Sequence, residues 1–66
     1  MHIMLNAQPI STPDNVSLEA FLQQQSNLPD QFAIAVNQSF VAQSLYGATP
    51  LKNGDEIELL VPMQGG

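Results

Sequence analysis

Few residues of this chain are of a type and spacing that can do chemistry, and the clearest lie at its end. Gly65 and Gly66 follow Met63 and Gln64 behind a proline at position 62. Proline cannot donate to a sheet ladder, so pairing is expected to end there, and the four residues beyond it extend at most about 14 Å at about 3.4 Å each. Glycine places no Cβ beside the terminal carbonyl. A tail of this kind can pass through a narrow channel and leave its carboxyl carbon open to a nucleophile from either side. The group on offer is the α-carboxylate of Gly66. Being ionised at neutral pH it is a poor electrophile, so acyl transfer requires a mixed anhydride first, and adenylation by ATP is the obvious route. The active site and the magnesium for that step would belong to a partner enzyme.

The remaining candidates point elsewhere. Glu56 and Glu58 stand two apart with Asp55 adjacent, which raises paired-carboxylate acid/base work. Such pairs act across a cleft with one carboxyl buried; here they follow a turn in an exposed alternation and read as a charged outer strand face. His2 is the one imidazole and thiols are absent, so no metal site is expected. None of the five serines stands in a nucleophile-elbow pattern, and a triad would have to recruit His2. Gly54 has no second glycine nearby, which argues against a phosphate-cradling loop. No internal catalytic residue is expected, and no bound cofactor.

Composition narrows the partners. Sixty-six residues make one domain with a thin core, too small for a deep cleft. Six acids against one lysine give a net charge of −5, which disfavours phosphate backbones and anionic lipid. Nucleic acid and membrane are therefore not expected partners, whereas a basic protein surface is. The longest apolar run, "FAIAV" at 32–36, is far short of the ~20 residues that span a bilayer. No basic segment precedes an apolar stretch at the start, so the expected location is cytoplasmic.

The elements that must present the tail follow from periodicity. "MHIMLN" alternates, with Met1, Ile3 and Leu5 on one side, and "NAQ" at 6–8 turns it into a second strand around Ile10. After the turn formers "STPDN" at 11–15, Leu18, Phe21 and Leu22 recur with helical spacing behind a Ser17 cap, and Pro29 lies beyond the helix end. "FAIAVN" returns to period two with Phe32, Ile34 and Val36 together, "NQS" at 37–39 turns toward "FVA", "QSLYGATPL" reads as irregular, and "KNGD" at 52–55 turns into "EIELLV". The order is ββαβββ. It predicts an α+β fold of the β-grasp type, a mixed sheet of about five strands with the helix on one face. The first and last strands should lie side by side, with the C-terminus leaving from the sheet edge. Residues 1–62 form the expected domain and 63–66 a flexible tail.

With "MHIMLN", "SLEAFL", "AVN" at 35–37 followed by Val41, "LKNGDEIEL" at 51–59 and the closing Gly65–Gly66, the sequence resembles the ThiS/MoaD family of ubiquitin-like sulfur carriers, nearest to the thiamine carriers. The resemblance spans the whole chain. It implies that Gly66 is adenylated by a ThiF-like enzyme, which uses the ATP, and is then converted to a thiocarboxylate. Its sulfur, supplied by a donor protein, would pass to a ThiG-like thiazole synthase. By alternation Met4 and Leu60 should point away from the helix and, with Met63, flank the exit. They form a candidate docking patch for the adenylating enzyme among Asp55, Glu56 and Glu58. Two other readings stand beside this one: a carrier for another pathway, like the small subunit of molybdopterin synthase, and a β-grasp adaptor that only binds proteins.

Overall fold

The structure, a computed structural model, describes residues 1–26 and 28–61. The expectation for the tail, residues 63–66, falls outside them. Five strands and one helix appear in the expected order: β1 His2–Leu5, β2 Gln8–Ser11, α1 Leu18–Gln23, β3 Ala33–Val36, β4 Ser39–Val41 and β5 Glu56–Leu60. The sheet order is β2-β1-β5-β3-β4. β1 and β5 run parallel, and the other pairings are antiparallel. This is the mixed β-grasp sheet. One detail departs from expectation: β5 is the middle strand, so the chain leaves the sheet from the end of its centre and not from an edge.

Both hairpins close through two-residue loops, Asn6–Ala7 and Asn37–Gln38, in which all four residues have positive φ. That is the type I′ pattern, whose twist matches that of paired strands. Asparagine tolerates the left-handed conformation because its short side chain bonds locally; alanine and glutamine have no such compensation.

Helix α1 begins at its predicted cap, the Ser17 hydroxyl accepting from the Ala20 amide at 3.1 Å. The Leu18 amide, a second unpaired group at the helix start, donates to the Thr49 carbonyl at 2.8 Å. Leu18, Phe21 and Leu22 are buried and form the core with Ile3, Ile34 and Ile57. Phe21 has no exposed surface. Leu5, Ile10, Val36, Val41 and Leu59 pack around this centre from the strands, so the helix covers one sheet face. Val61 lies past the last pairing and is exposed.

The stretch read as irregular contains a 3₁₀ helix, Gln43–Ala48, that packs on α1 and buries Tyr46. Its end is closed by the Thr49 hydroxyl, which donates to the Leu45 carbonyl at 2.7 Å. The segment after it bridges to the helix start through Ser17 and Pro50, and the Leu51 amide donates to the Val16 carbonyl at 2.9 Å. Among the described residues, no helix is long and apolar enough to cross a membrane.

Candidate functional site

β5 is the element that would present a C-terminal tail, and it is bonded on both edges. Its two neighbours, β1 and β3, fix the outer face of the sheet, opposite the helix. Glu56 and Glu58 project there and are exposed, as the alternation predicts. Asp55 behaves differently. Its Oδ2 accepts from the Lys52 amide at 2.8 Å and its Oδ1 from the Asn37 side-chain amide at 3.1 Å. This carboxylate ties the 52–55 turn to the β3–β4 loop, and Gly54 serves the same turn with φ +89°. Among the described residues, the two glutamates make no such side-chain bonds and stand exposed.

Met4 is in register with Glu56, and Leu60 with Ala33. Glu56 and Leu60 are four positions apart on one strand, about 13 Å at ~3.3 Å per residue. Met4 and Leu60 therefore share a face without touching. Between them lies a row that sequence reasoning missed. Ala35 is paired with Glu58 on one side and Phe40 on the other, and Phe40 is 74% exposed while Ala35, beneath its neighbours, is 5% exposed. The signal was present in "SFV": once Val41 faces the core opposite Ile34, Phe40 must face out. The outer face thus carries Met4, Phe40 and Leu60 as separated apolar points around two carboxylates. A depression lies between β1 and β5, lined by Met4, Asn6, Ala7, Ile57 and the two glutamates.

His2 lies exposed at the start of β1 with Nδ1 3.4 Å from the Ser11 hydroxyl. Among the described residues, no three histidine, cysteine or acidic side chains converge as a metal site would require. Glu56 and Glu58 are both exposed, so neither is the buried member that a working acid/base pair contains. The outer face is acidic and sparsely apolar, and Leu60, the last residue of β5, lies on it.

A central parallel β1–β5 pair with one helix across the sheet defines a ubiquitin-like β-grasp domain. The ThiS family model matches residues 3–66, nearly the whole chain, and the chain belongs to the ThiS family. A thiamine biosynthesis protein, ThiS, from Geobacter metallireducens has the same fold: TM-score 0.81 at 22% identity, over all of both chains. A thiazole synthase from Magnetococcus marinus is 32% identical over 66 residues, the whole of this chain and 20% of the relative. The chain thus spans about one fifth of the length of that curated relative.

Proposed function

We propose that this protein is a sulfur carrier for thiazole formation in thiamine biosynthesis, acting as a co-substrate of enzymes and not as a catalyst. The observation that carries the reading is the ThiS family match over residues 3–66, which includes Gly65 and Gly66. The domain through residue 62 presents residues 63–66 as a tail. The Gly66 carboxylate attacks the α-phosphorus of ATP in the active site of a ThiF-like enzyme, giving an acyl adenylate and releasing pyrophosphate. Hydrosulfide, or a donor protein delivering sulfur at that oxidation level, adds to the acyl carbon and displaces AMP. The thiocarboxylate left on Gly66 has one sulfur in place of one oxygen.

Gly65 and Gly66 suit this step because neither places a side chain beside the reacting carbon. Met63 and Gln64 supply reach. A ThiG-like synthase is the proposed acceptor, supported by the relative named thiazole synthase, in which a segment similar to this whole chain occupies a fifth of the length. The docking face for the adenylating enzyme comprises Met4, Leu60 and Phe40, with Glu56 and Glu58 facing basic groups of the partner and Asp55 bracing the turn that carries them. Complementary charge of this kind speeds encounter and fixes orientation.

The test is exchange of labelled pyrophosphate into ATP by a ThiF-like enzyme. Exchange that depends on this chain and is lost when Gly66 is deleted supports the reading. Exchange that persists without Gly66, or a chain that binds the enzyme and never supports exchange, favours an adaptor and overturns it.

A further inference from the structure

β5 is clamped near both ends by one device used twice. Asn6 and Asn37 each open a hairpin loop in the left-handed conformation, at φ 49° and 51°. At each loop the asparagine side-chain carbonyl accepts a bond from β5 in place of a backbone carbonyl, a substitution asparagine is suited to. On the β3 side, the Asn37 amide donates to the Glu56 carbonyl at 2.7 Å and Asn37 Oδ1 accepts from the Glu56 amide at 3.0 Å. On the β1 side, the Asn6 amide donates to the Ile57 carbonyl at 2.9 Å and Asn6 Oδ1 accepts from the Leu59 amide, also at 2.9 Å. Asn37 holds the start of the strand. Asn6 holds its β1-side edge as far as Leu59, one residue before the strand's last, Leu60, which is paired with Ala33 of β3, and carries the parallel ladder one step beyond the last residue of β1.

We propose that Asn6 is a positioning residue for the tail, its side-chain carbonyl fixing the direction in which β5 hands the chain on toward Gly66. The proposal rests on the carrier reading above. A reactive end that must reach a partner's site from a docked domain works at an effective concentration set by its tether. Small misplacements of a reacting group reduce rate steeply. Releasing the Leu59 amide frees the β1-side edge at the root of the tail, while the Leu60–Ala33 pairing on the β3 side still holds Leu60 in the docking face.

The test is the steady-state rate of pyrophosphate exchange with the carrier as varied substrate. Asn6→Gly keeps the left-handed loop and removes the acceptor; Asn6→Asp keeps both. Asn37→Gly removes the matching bond at the far end of β5 together with the Asn37–Asp55 bond, a loss that falls on docking and hence on KM. A purely structural effect lowers the folded fraction of the carrier, which raises apparent KM and leaves kcat unchanged. The proposal expects kcat of N6G to fall about five-fold, the rate equivalent of one net hydrogen bond, with KM within about two-fold. It expects N6D and N37G to retain kcat, and the Leu59 amide to exchange with solvent faster in N6G than in N6D. A wild-type kcat in N6G, an equal fall in N37G, or an N6D no better than N6G overturns the positioning role alone. A wild-type chain that supports no exchange overturns the carrier reading and this role with it.

Discussion

Ala7 occupies φ +67° in the β1–β2 loop, a conformation that costs an L-residue about 1–2 kcal/mol relative to the right-handed region. Ala7→Gly removes that cost. Against it stands the greater freedom of glycine in the unfolded chain, about 0.5–1 kcal/mol. Ala7 is exposed, so little packing is lost with its methyl group. At the middle of the two ranges, about 1.5 against about 0.75 kcal/mol, the net expectation is stabilisation by about 0.75 kcal/mol, with about 0.5–1 kcal/mol as the working range. An unfolding entropy of about 2.1 cal/mol/K per residue gives ~0.14 kcal/mol/K over 66 residues, hence a rise in Tm of about 4–7 °C. Thermal unfolding followed by circular dichroism measures it. Ala33→Gly is the control: Ala33 is exposed within β3, has no positive φ, and its replacement should lower Tm through backbone entropy alone. A Tm for A7G at or below wild type refutes the claim that this loop is strained.

Other substitutions test the core, the caps and the docking face. Phe21→Ala, at a side chain with no exposed surface, should destabilise by about 3–5 kcal/mol in urea unfolding, enough to leave so small a domain largely unfolded. Ser17→Ala removes the cap on the Ala20 amide and should cost about 1 kcal/mol by the same measurement. Leu60→Glu, at a position already 42% exposed, should leave Tm nearly unchanged and weaken titrated binding to the adenylating enzyme by at least about ten-fold; unchanged affinity removes Leu60 from the docking face. Raising salt should slow association with that enzyme, since the facing charges are exposed and screened within about 10 Å at 0.1 M; a salt-independent on-rate measured by stopped flow would remove Glu56 and Glu58 from it.

Local periodicity made the helix and strands legible. Leu18, Phe21 and Leu22 carry a helical stripe, and Ile3, Ile34 and Ile57 anchor alternating strands, so the sheet, its single covering helix and the exposed carboxylates follow from pattern alone. Features set by distant contacts did not. The 3₁₀ helix around Tyr46 has no apolar period of its own and is held by α1. The central place of β5 depends on which long-range pairings form, information that residues 56–60 do not contain individually. Phe40 escaped because a three-residue strand shows too little alternation to assign its faces until Val41 is paired with Ile34. Asp55, read from its neighbours as part of an acidic surface, is committed to two bonds that only the folded turn creates. The asparagines at 6 and 37 were legible as turn residues, while their hold on β5 required the sheet.

The most direct test of the carrier function is the intact mass of the chain after incubation with ATP, a ThiF-like adenylating enzyme and a sulfide source, beside a chain lacking Gly66. A carrier should gain the mass that replaces one oxygen by sulfur, located on Gly66 and absent from the shortened chain. An unchanged mass, with an enzyme that loads its own carrier under the same conditions, would contradict that function.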